Sequence, residues 1–75
     1  MPPFRWTPSY MDQLERAVRD GLRVAVMRRG TEYIVIAKQL ASQDGQDAFD
    51  GHLPMTGEQL RFKLSEIEHF ELLNR

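Results

Sequence analysis

The chain contains no cysteine, which excludes a disulfide framework and any thiolate metal site and agrees best with a cytoplasmic setting. No run approaches the roughly 18 apolar residues that a membrane-spanning helix needs, and the stretch MPPFRWTPSY lacks the basic-then-apolar order of a secretory leader. Neither membrane insertion nor export is expected. There is no phosphate-cradling glycine loop, no nucleophile elbow and no dinucleotide fingerprint. The two histidines, His52 and His69, fall near Asp50, Glu68 and Glu71 without ligand spacing. Asp44, Asp47 and Asp50 recur every third residue but lack the alternating ligands and distal glutamate of a calcium loop. The sequence thus offers no catalytic residue, no metal site and no cofactor, and enzymatic activity is not expected.

What is present is one short domain, residues 1–75, with residues 1–6 as a flexible or docking arm. A chain of this size buries only about 60% of its surface on folding, so it is expected to be marginal alone or supported by self-association. At 41% hydrophobic and 28% charged residues, it has enough apolar content to fold and is not a disordered chain.

The order of elements carries most of the information. Pro8 after a Thr7 cap starts a helix near residue 8, or Ser9 caps it with Asp12 completing a capping box. Met11, Leu14, Val18 and Leu22 form its apolar stripe, Asp12/Arg16 and Glu15/Arg19 are spaced as ion pairs, and Gly21 is placed to close it. Ahead of it, Phe4, Trp6 and Tyr10 make an aromatic group that either binds a ligand or, more commonly for such groups, pins the arm to the core.

Strands follow at Arg23 to Met27, Glu32 to Lys38, Asp47 to Leu53, Gln59 to Leu64 and Glu68 to Leu73, with turns at Arg28–Thr31, Asp44–Gly45 and Pro54–Gly57. The second strand is β-branched and aromatic through its middle (Tyr33, Ile34, Val35, Ile36) and reads as a central or strongly bent strand with neither face left to solvent. Gly51 marks a bend or a close approach. The expected core is Leu14, Val18, Val24, Val26, Ile34, Ile36, Phe49, Leu60, Phe62, Leu64, Ile67 and Phe70. The fold class is mainly β, α+β by content: an N-terminal helix at about residues 8 to 20 packed on a five-stranded, strongly bent, Sm-like small barrel.

Charge is uneven although the net is −1. Residues 1–38 hold seven Lys or Arg against four Asp or Glu, and residues 39–75 hold three against seven. In so small a domain this pattern reads first as complementary strands and ordinary solubility, and second as a basic face. The face would be the first hairpin, where Arg23, Arg28, Arg29 and Tyr33 combine charge with a ring for stacking. The plainer reading of Arg28-Arg29 is a solvated turn.

From Leu14 to Leu72 the pattern resembles a WYL domain, a bacterial Sm-like barrel usually found in transcriptional regulators and thought to sense a ligand. The pieces that carry the resemblance are the helix LERAV, the strand LRVAVM, the DG turn before Phe49 and the close FKLSEIEHFEL. The Trp-Tyr-Leu that names the family is absent, its region reading Asp47-Ala48-Phe49, and Glu66 stands where a basic residue precedes the closing isoleucine. A helix-turn-helix of the kind that accompanies such domains is not expected within these residues. The resemblance implies a regulatory, non-catalytic binding module for a small anionic ligand or nucleic acid. The alternative is a structural or protein-interaction domain that pairs an exposed strand edge with a partner or a second copy as a homodimer.

Overall fold

A computed structural model describes residues 4–73. Helix α1 spans Pro8–Asp20, and strands β1 (Arg23–Arg28), β2 (Thr31–Gln43), β3 (Gln46–His52), β4 (Gln59–Lys63) and β5 (Ile67–Leu73) follow, with a 3-10 turn at Leu64–Glu66 between the last two. The strands form one antiparallel sheet in the order β4-β3-β2-β1-β5. The helix packs against β2 and β5, giving an α+β domain of 31 × 26 × 23 Å. Among the described residues no helix is long and apolar enough to cross a membrane.

The helix starts as its sequence dictates. The Thr7 hydroxyl accepts from the Tyr10 amide at 3.2 Å, and Pro8 fills the first turn, where a missing N–H costs nothing. Of the two ways of capping, the Thr7 one is realised. Gly21 closes the helix at φ 66°. Neither expected i, i+4 pair forms among the described residues, and Arg19 Nε turns instead to Asp20 Oδ1 at 3.3 Å.

Two-residue turns set the register of the sheet. Arg29-Gly30 (φ 52° and 75°) and Asp44-Gly45 (φ 54° and 75°) both carry the paired positive φ of type I′ hairpins, whose twist matches that of the flanking strands. The first turn pairs Arg28 with Thr31, so Val26 faces Tyr33 and Val24 faces Val35. This corrects the expected core: Val35 and Ala37 are fully buried, whereas Ile34 is 39% exposed on the opposite face and Ile36 is half-buried. Val18 and Leu60 are half-buried against the core, and the remaining expected core residues are buried, joined by Ala17.

β2 runs five residues beyond its expected end. Its tail, Gln39 to Gln43, has little intrinsic strand preference and is held by pairing with β3 after a bulge between Ala37 and Gln39. The sheet also curls. Laid flat, β1 and β4 would stand about 14 Å apart at the usual strand spacing, yet the Arg28 side chain of β1 reaches the Arg61 carbonyl of β4, and the Phe62 ring of β4 meets Tyr33 of β2 at 5.4 Å and Phe49 of β3 at 5.3 Å. Gly51 permits the tightest approach: a Cβ there would sit 2.6 Å from Val35 Cγ2.

The aromatic group ahead of the helix is docked. Trp6 Nε1 donates to the Leu64 carbonyl at 2.9 Å, its ring lies 5.1 Å from Phe70, and Phe4 packs at 4.8 Å from Tyr10. The expected arm at residues 1–6 is therefore packed from Phe4 onward, and residues 1–3 lie outside the described residues.

Candidate anion-binding end of the first hairpin

Arg28 ends β1 on the same face as Val24 and Val26, which turns its side chain toward the core-facing rings. Its guanidinium lies 4.7 Å from the Phe62 centroid and 5.2 Å from that of Tyr33, and its Nη1 donates to the Arg61 carbonyl at 3.2 Å. Arginine suits this place because its planar cation stacks on aromatic faces and keeps further donors free in a fixed fork. One of those donors meets a carbonyl of edge strand β4, and among the described residues the others make no hydrogen bond.

Arg29 occupies the first central position of the turn, where Asn, Asp or Gly is the usual choice. The second hairpin obeys that preference with Asp44, and the first does not. Holding a long side chain in the left-handed region costs about 1 to 2 kcal/mol, and the position displays Arg29 outward, its side chain 83% exposed. Two acids close on the same tip. Glu66 Oε2 lies 3.9 Å from Arg29 Nη2, and Glu68 Oε1 accepts from the Gly30 amide at 3.1 Å.

Of the four residues expected on the basic face, Arg28 and Tyr33 meet directly, and Arg29 adjoins them at the tip. Arg23 does not join them. It stands at the far end of β1, opposite Ile36 and Leu73, and on the other face of the strand.

Sequence reading missed a polar cluster on the outer face of the sheet. Arg61 Nε and Nη2 clasp Asp50 Oδ1 and Oδ2 at 2.7 and 3.1 Å, and Gln39 Nε2 donates to Asp50 Oδ2 at 2.7 Å. These residues align across three strands, since Asp50 pairs with both Gln39 and Arg61. The Arg61 hydrogen bonds hold the Asp50 carboxyl below the usual aspartate range, against the opposing effect of burial and with help from Gln39. Arg61 is correspondingly raised, first by its hydrogen bonds to Asp50. Register counted from the Asp44-Gly45 turn places Gln39 opposite Asp50, short of the bulge.

The other acids and histidines are dispersed. Asp44 faces Lys63 at 3.5 Å, away from Asp50, and His69 lies edge-on to Phe4 at 6.1 Å. Among the described residues no group of three or more His, Asp or Glu side chains is placed to hold a metal ion.

No protein-family profile and no curated protein matches the sequence. Among solved structures, the chain is similar to Proteasome accessory factor B/C (PafBC) of Arthrobacter aurescens, at 20% identity and a TM-score of 0.74. The likeness covers 89% of this chain and 11% of that one, so the chain spans about a ninth of the length of the protein it matches. It shows that this course of one helix and a curled five-stranded sheet recurs as a small part of a much larger protein.

Proposed function

We propose that the protein is a non-catalytic, WYL-like binding module with the Sm-like course of strands, regulatory in role and cytoplasmic, that recognises an anionic ligand at the end of its first hairpin. The observation that carries this reading is the backbone of Arg29. A cation is kept in a left-handed turn position that disfavours it, beside a second arginine already stacked on two rings and anchored to a carbonyl. Stored strain of this kind concentrates where a side chain must be presented. The Arg28 fork supplies donors in a fixed plane, Arg29 supplies exposed charge, and Tyr33 lends one side of the wall.

Glu66 is the counterweight. It occupies the place where the WYL resemblance leads one to expect a basic residue, and Arg29 reaches that place from a different element. An arriving anion must displace Glu66 from Arg29, which favours a compact, strongly charged group such as a phosphate over a diffuse polyanion. Nucleic acid stays within the reading as a phosphate-bearing ligand whose binding falls with salt.

The test is a titration with inorganic pyrophosphate at low ionic strength. Arg28→Ala with Arg29→Ala should abolish binding without loss of fold, and Glu66→Gln should tighten it several-fold. Unchanged affinity in the double variant would end the proposal. A second reading rests on the open edges of the sheet at β4 and β5: strand addition by a partner or a second copy. Light scattering that finds a dimer, broken by a proline in β5, would favour it.

A further inference from the structure

A second site lies away from the hairpin tip and does not rest on the reading above. A groove lies between α1 and the far half of the β2–β3 hairpin. Leu40 pairs with Phe49 and Ser42 with Asp47, which puts Leu40 and Asp47 on the core-facing side of the sheet, toward the helix. Met11 and Glu15, one turn apart on α1, form the opposite wall, and Leu64 is common to both ends of the groove. Trp6 closes one end, its ring fixed by the hydrogen bond to the Leu64 carbonyl. Two adjoining hollows that share Met11, Asp47 and Leu64 make up the groove, one of about 470 Å³ near Trp6 and one of about 210 Å³ near Leu40; the first alone has the size of sites that take small organic ligands.

Its walls and its charge specify different parts of a ligand. Trp6, Met11, Leu40 and Leu64 are apolar, and Leu40 is 47% exposed, an apolar surface left facing water at the mouth. The charged groups lining it are Glu15 and Asp47, both acidic. Among the described residues neither makes an ion pair or a side-chain hydrogen bond: Arg19, spaced to pair with Glu15, turns to Asp20, and Lys63 turns to Asp44. A groove with an apolar wall, two carboxylates that make no ion pair and otherwise only the neutral polar side chains Gln46 and Ser65 is complementary to a cation with an apolar body. We propose that this groove binds a small organic cation, an apolar body carrying an amine or guanidine, with the body against Trp6, Met11, Leu40 and Leu64 and the charge between Glu15 and Asp47.

The probes are 2-phenylethylamine, its neutral analogue 2-phenylethanol and its anionic analogue 3-phenylpropionate, followed by amide shifts and by fluorescence of Trp6, the only tryptophan in the chain. The amine should give saturable shifts at Met11, Glu15, Leu40 and Asp47. The alcohol should bind about five- to tenfold more weakly, as two partly screened charge contacts would dictate, and the carboxylate not at all. Glu15→Gln with Asp47→Asn, both on exposed positions, should bring the amine down to the alcohol's affinity without lowering the melting temperature. Equal binding of amine and carboxylate, shifts confined to other residues, or full affinity in the double variant would overturn the proposal. A basic, apolar peptide that moves the same amides at far lower concentration would also overturn it, by assigning the groove to a polypeptide.

Discussion

Gly51→Ala adds one methyl group where the curled sheet has no room for it. The new Cβ would lie 2.6 Å from Val35 Cγ2 and 2.9 Å from Val35 Cβ, about 1 Å inside the distance at which two carbons attract. Val35 cannot swing away, because it is fully buried on the central strand and its Cβ, fixed by the backbone, is itself too close. The two strands must therefore part, loosening the stack of Phe49 on Phe62 beside them. Overpacking of this kind costs about 1 to 3 kcal/mol. In a domain of this size each kcal/mol lowers the melting temperature by about 4 to 8 °C, so a fall of some 5 to 20 °C is expected by circular dichroism. Val35→Ala removes the Cγ2 methyl group of the 2.6 Å contact while keeping Cβ, and costs stability alone. Combined with Gly51→Ala, it should be less than additive by about 1 kcal/mol or more, the sign of direct contact. A melting temperature within a degree or two of the parent, or a strictly additive double variant, would refute the claimed approach of β2 to β3.

Three further outcomes are expected. Phe62→Ala removes a fully buried ring that meets Phe49, Tyr33 and Arg28, and should cost about 3 to 5 kcal/mol, enough to unfold much of the population in a urea titration; an unchanged midpoint would remove Phe62 from the core. Arg29→Asn relieves the turn and should raise stability by about 1 kcal/mol while weakening pyrophosphate binding, and a destabilised variant would contradict the strain argument. Asp50 has its folded pKa held below its unfolded value by Arg61, so its contribution is complete above the unfolded value and is lost as pH falls through the folded one. The stability gap between the parent and Asp50→Asn should accordingly close in acid, and a gap that widened there would show that the pair is not formed.

The sequence made some features plain because local chemistry decides them. Thr7-Pro8, Gly21 and the Asp44-Gly45 turn place the helix and one hairpin with little help from tertiary structure. β4 was equally legible, since Leu60 and Phe62 alternate with Gln59, Arg61 and Lys63. β2 was not, because Tyr33 to Ile36 is apolar on both faces and periodicity cannot say which side is inward. The missing information was in the turn: a two-residue loop at Arg29-Gly30 forces Val24 opposite Val35, which turns Ile34 outward. The candidate site divides in the same way. Arg28 and Tyr33 could be placed together from that register, whereas Phe62 beneath Arg28 depends on the curl of the sheet, and Glu66 beside Arg29 depends on where the 3-10 turn delivers the chain. Arg23 was grouped with them by sequence proximity, which a strand's length and alternation undo.

The most direct test of the anion-binding reading is an amide-shift titration of the intact protein with inorganic pyrophosphate, and in parallel with mixed single-stranded oligonucleotides, at low and at moderate salt. The expected result is saturable movement of Arg28 to Tyr33 together with Arg61, Phe62 and Glu66, weakening as salt rises because bound ions are released. Movement spread evenly over the surface, or none at these residues with either probe, would contradict it.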